Sequence, residues 1–180
     1  MDLIGGWLLP VTWTLLGLTI VVGALRAHRS DRAFTVAIGA VSVLWVVAGA
    51  AANAAMLIDG NTYTDFAQGS PIRFVRDTWE SVVVPDHHLF IGILIAAEAL
   101  AGLMVLVPGR PREVALIALT AFNATLIVFG WSFAIWAVPL VAALMLLHRA
   151  ERLRNPRRRP SAGASSDPRH RSPRSRVPSP

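Results

Sequence analysis

Long apolar blocks separated by short polar turns run along this chain, the pattern of helices with apolar surroundings on every side. The first block, residues 7–25, is interrupted only by Thr12, Thr14 and Thr19, whose hydroxyls can bond back to their own helix. The second, residues 33–58, carries the run AGAAANAA at 48–55, with Asn53 inside it. Small residues let helix backbones approach closely, and an amide on such a face is expected to bond across the contact. The third, residues 87–107, reads HHLFIGILIAAEALAGLMVLV and matches the ~20 residues a helix needs to cross a hydrocarbon core. Residues 113–148 are too long for one crossing, so a break is required, and Gly130 beside Trp131 and Ser132 is its expected place. Pro139 should kink or break the last helix. The fold class expected is all-α: a polytopic bundle of five transmembrane helices.

Arginine marks alternate turns. Arg26, Arg29 and Arg32 follow the first block, Arg110 and Arg112 follow the third, and an arginine cluster follows the last. The positive-inside rule then places the chain in the cell membrane with its N-terminus outside and its C-terminus cytoplasmic. The long polar connection, DGNTYTDFAQGSPIRFVRDTWESVVVP at 59–85, falls outside. Within it Thr62 and Asp65 suit a short capping turn that Gly69 ends, and Ser70 followed by Pro71 suits a new helix. Over residues 71–84, Ile72, Val75, Trp79, Val82 and Val83 share one helical side, while Arg73, Arg76, Asp77, Glu80 and Ser81 share the other. Arg73–Asp77 and Arg76–Glu80 have the i,i+4 spacing of ion pairs. This segment is expected either at the outer interface with Trp79 as its anchor, or folded over the bundle mouth. Pro85 closes it, and Asp86 should cap the third block, ahead of His87 and His88.

Composition adds an asymmetry. The chain has 180 residues, 54% hydrophobic, and its net charge of +6 is unevenly placed. Residues 149–180 hold ten Arg against two acids, a net of +8, and residues 1–148 hold seven Arg against nine acids, a net of −2. The basic character belongs to a tail rich in Arg, Pro and Ser, expected to be disordered and to hold anionic lipid headgroups. Nucleic acid is the weaker partner, since such a tail carries no folded reading head. The division expected is a membrane domain over 1–150 and a tail over 151–180. The opening MDLIGGW has no basic n-region and does not read as a cleavable signal peptide. Cysteine is absent, which excludes disulfides, thiolate nucleophiles and iron–sulfur ligation. Adjacent helical residues diverge by about 100°, so His87 and His88 cannot grip one ion, and no metal site is expected.

The chemistry concentrates on Glu98, the one Asp, Glu or Arg in the interior of a block. An ionisable group at bilayer depth costs roughly 3 kcal/mol even on a lenient scale and usually faces other helices. Asn123 lies at matching depth on the next helix with Thr120 one turn away, so a Glu98–Asn123 hydrogen bond is the expected polar centre. Asn53 is expected nearer the outer side.

Residues 34–148 resemble the DoxX-like family of small bacterial membrane proteins. The resemblance rests on the small-residue run AGAAANAAM, the loop landmarks Tyr63, Phe66 and Trp79, the VVVP turn, Glu98 followed by Gly102, the PGRPR turn and the closing hairpin. The first block would be an addition. The family often has a Gly and a Lys where residues 53–56 stand here. The resemblance implies a four-helix core, Glu98 as the matching acid and, in some relatives, membership of oxidoreductase assemblies that exchange electrons with quinone. The function expected is that of an accessory subunit of a quinone-linked membrane oxidoreductase. Quinone is then the one cofactor implied, none is covalently bound, and a membrane or peripheral oxidoreductase subunit is the partner. The alternatives are a proton-coupled transporter or conducting bundle centred on Glu98, and a scaffold without catalysis.

Overall fold

The computed structural model describes residues 8–154; the expectations for MDLIGGW and for residues 155–180 lie outside the described residues. The described chain is all-helical. Helix α1 is Leu8–Arg26 and α2 is Asp31–Ile58. Helix α3 is Arg73–Thr78, continued by a wider π-helical turn over Trp79–Val83. Helix α4 is His87–Met104, α5 is Arg110–Phe129 and α6 is Trp131–Arg154. Helices α2, α4, α5 and α6 are each long and apolar enough to cross a membrane, and α1 is a shorter apolar helix. Large apolar side chains such as Leu15, Leu18, Ile93, Leu100 and Leu103 point outward, compatible with a lipid surround.

The turns form where the local chemistry requires them. Ser30 accepts a hydrogen bond from the Ala33 N–H at 3.2 Å and starts α2 as an N-cap. Gly109 has φ of 88°, a conformation that favours glycine, and Pro111 follows in the first turn of α5. Gly130 breaks the long 113–148 stretch with φ of 128°, and a side chain there would collide with the Gly69 carbonyl. Thr14 and Thr19 donate to the carbonyls of Pro10 and Leu15, each at 2.7 Å, so two of the three α1 threonines bond back to their own helix. Helix α6 runs unbroken through Pro139 and on to Arg154, so the packed bundle passes the expected boundary at 150.

The polar connection departs from its expected form. Its helix begins at Arg73 with Ile72 before it, because Ser70 is buried and donates instead to the Val128 carbonyl at the end of α5. Asn61, not Thr62, accepts the Tyr63 N–H at 2.7 Å, while Asp65 accepts from Gln68. Arg73 pairs with Asp77 at 3.3 Å in solvent, but Arg76 turns to the Ser70 carbonyl and leaves Glu80. Asp86 precedes α4 without a side-chain cap, and its backbone carbonyl takes the Leu89 and Phe90 N–H groups.

The packed core lies at one end. Ile20, Phe34, Val41, Leu44, Val105, Leu116, Leu144 and Leu147 meet near the arginine-bearing turns, each 5% exposed or less. That end is tied by a buried ion pair between Arg112 and Glu151 at 3.0 Å. Glu151 also accepts the Gly109 N–H, and Arg112 also donates to the Val105 and Leu106 carbonyls. Arg154 covers the Phe34 ring, pairs with Asp31 at 3.0 Å and donates to the Ala27 carbonyl, joining α6 to α2 and to the turn that follows α1.

Candidate functional site

Toward the other end the helices part around a cavity of about 930 Å³. Its position follows from where bulk is missing. On α2 the small residues Ala48, Ala52 and Asn53 line it between Trp45 and Met56, and Ala137 lines it from α6. The walls are aromatic instead. The chain has six Trp, seven Phe and one Tyr, and ten of these rings line the cavity.

Glu98 forms the polar floor. Helix α4 buries only Ile91, Glu98 and Gly102, a single stripe facing α2, and Glu98 is 6% exposed. The middle of α2, Leu44–Ala51, is a π-helical segment, and its Gly49 lies directly against the carboxyl. A Cβ on Gly49 would meet the carboxyl atoms at 3.2 Å. One level down, Gly102 of α4 receives Trp45 and Val46 of α2, so the two helices interlock through reciprocal glycines. Local π-helical turns of this kind recur at functional positions.

The expected Glu98–Asn123 bond gives way to a different pair. The Asn53 amide Nδ2 donates to Glu98 Oε2 at 3.0 Å, whereas the Asn123 amide donates to the Leu119 carbonyl of its own helix at 2.7 Å. Asn123 is buried and lines the same cavity without touching the acid through a hydrogen bond. The Thr120 hydroxyl likewise returns to its helix, at Leu116, and is not part of the lining. Sequence adjacency suggested α5 as the partner, but the buried stripe of α4 faces α2.

From Asn53 the polar contacts continue into the loop. The Tyr63 hydroxyl donates to the Asn53 backbone carbonyl at 3.0 Å, and Trp79 Nε1 donates to the Tyr63 carbonyl at 2.8 Å. Tyr63 holds φ of 57°, rarely adopted by a bulky residue, with its ring buried. Burial, and secondarily the Glu98 carboxyl, push its phenol above the usual tyrosine value, which keeps the hydroxyl a donor. Trp79 stacks on Phe66 with centroids 4.8 Å apart and meets Phe129 edge-on at 5.3 Å. Its ring therefore lines the cavity together with those of Phe66 and Phe129. The outward apolar residue of α3 is Phe74, 75% exposed.

His87 and His88 stand apart from the floor. His87 Nδ1 donates to the Val84 carbonyl at 2.9 Å, its ring lies 4.2 Å from that of the exposed His88, and neither lines the cavity. Sequence reasoning missed Tyr63 as a site residue, although it is the chain's single tyrosine. It also missed Glu151, which counted only as a tail charge. The arrangement can receive an apolar molecule and present the buried Glu98 carboxyl and the Asn53 and Asn123 amides to its polar group. Compared with known proteins, the chain matches no family model, no curated protein and no solved structure.

Proposed function

We propose that the chain is a multi-pass protein of the cell membrane that binds a membrane-soluble molecule between its helices, with Glu98 and Asn53 holding the polar group. The observation that carries this reading is a cavity of about 930 Å³ walled by rings and floored by one buried carboxyl. Ligand sites of roughly 300–1,000 Å³ share this make-up: mostly apolar walls with a few convergent polar groups. In this reading α1 is a fifth crossing, the N-terminus lies outside, and the arginine end is cytoplasmic.

The resemblance to the DoxX-like family makes α2, α4, α5 and α6 the shared core. The accessory role in a quinone-linked oxidoreductase is one form of the proposal. There a ring carbonyl would meet Glu98, and the redox centre would belong to a partner subunit. Conduction of protons through the bundle is the weaker reading, because the core that holds Leu44, Val105, Leu116 and Leu147, each fully buried, is apolar and offers no relay group.

Co-purification tests the binding reading. Protein extracted from native membranes should retain a small apolar molecule identifiable by mass spectrometry. Ala52→Phe, which projects a ring into the cavity, should lose that molecule while still inserting. A wild-type protein carrying nothing, or unchanged retention in Ala52→Phe, would overturn the proposal.

A further inference from the structure

We infer that the ligand is an apolar cation, an amine or other onium whose charge pairs with Glu98 and whose apolar arms lie among the rings. The inference rests on the binding reading above and names its ligand class. The first support is charge. Glu98 and Asp65 line the cavity, and among the described residues no Arg, Lys or His does. Each nearby arginine is engaged elsewhere: Arg73 with Asp77, and Arg76 with the Ser70 carbonyl. The ionic clasps of Arg112 and Arg154 sit at the far end of the bundle.

The second support is the unfilled capacity of the acid. Among the described residues, Glu98 receives one hydrogen bond, from Asn53 to Oε2, and has no ion pair. A carboxylate offers about four acceptor positions, and its charged form at this depth needs a counter-ion. Oε1 takes no hydrogen bond among the described residues, and Glu98 lines the cavity. The other titratable groups there are the Tyr63 phenol and the Asp65 carboxyl, both from the loop, and neither is cationic at neutral pH.

The third support is the wall. Aromatic faces carry negative potential and attract organic cations, most strongly where water is excluded. Trp79, Phe66, Phe129 and Phe133 make one such group at the mouth, with Phe66 within 5.0 Å of each of the other three centroids. The loop that contributes Tyr63, Asp65 and Trp79 to the cavity has the same sign: residues 59–88 hold five acids and two arginines, a balance that attracts cations. A neutral ligand can stack on the rings but gains neither the cation–π attraction nor the pull of the acidic loop.

The test uses the full chain in lipid nanodiscs, with empty nanodiscs correcting for partition. Tetraphenylphosphonium is the cationic probe, triphenylphosphine oxide its neutral counterpart, and a short-chain ubiquinone a third ligand, each followed by quenching of tryptophan fluorescence. Wild-type protein should bind the phosphonium on the order of tenfold more tightly than either neutral probe. Glu98→Gln should erase that preference, and Asp65→Asn should preserve it. Equal or tighter binding of a neutral probe, or a preference that survives Glu98→Gln, would overturn the cation inference while leaving the cavity reading in place. Binding of none of the three would remove both. The wild-type comparison needs no variant, so it decides even where Glu98→Gln fails to insert.

Discussion

The carboxyl of Glu98 depends on a single amide. Among the described residues Asn53 supplies its one hydrogen bond, and the Tyr63 hydroxyl in turn steadies the Asn53 backbone. Removing one partner of a buried polar pair leaves the other unsatisfied, at a cost of about 1–3 kcal/mol. Asn53→Ala should therefore destabilise the bundle by that amount in detergent-based unfolding. Asn123→Ala should cost under about 1 kcal/mol, since its amide bonds only the Leu119 carbonyl of its own helix. The reverse order of the two effects would restore the pairing first expected from depth. Depth alone ranked Asn123 first, because it says how far along a helix a residue sits and nothing about which way it faces.

Between elements, the arginine end holds the helices more firmly than spacing alone implies. Arg112 on α5 and Glu151 on α6 are about nine-tenths buried, with three further backbone bonds around them. Deleting one member of a buried pair leaves a stranded charge and costs about 3–5 kcal/mol. Arg112→Ala should show this loss in the same unfolding measurement. The double variant Arg112→Met with Glu151→Leu should recover part of it; full additivity of the two single losses would mean that the groups act independently. The pair was hard to see in sequence, since Glu151 stands among tail arginines and its partner lies 39 positions earlier. By contrast, the Gly130 break was legible, because the length of residues 113–148 demands a turn and glycine tolerates the φ it needs.

Across the whole molecule, packing density is graded. Apolar side chains fill the arginine end, and small residues with aromatic walls leave the opposite half open under α3 and its loop. In the proposed reading, ligand exchange belongs to that open half and the packed half supplies rigidity. The proposed layout predicts opposite exposure of the two ends. Since the chain has no cysteine of its own, Asp65→Cys and Arg149→Cys can be labelled singly in intact cells with an impermeant maleimide. Position 65 should label and position 149 should label only after lysis; labelling of both before lysis would dismiss the arrangement.

What depends on neighbours along the chain was determined by the sequence alone: the apolar blocks and their lengths, the glycine turn at Gly130, the arginine-bearing turns, and the acid in the interior of α4. Helix length, φ preference and mean hydropathy are local properties, so a linear reading captures them. Tertiary structure alone decided that Glu98 answers to Asn53, 45 positions away, that Trp79 turns inward over the cavity, and that Glu151 belongs to the bundle. Each of those outcomes depends on the rotation of one helix against another, which is settled when small-residue faces such as Gly49 and Gly102 find their matching surfaces.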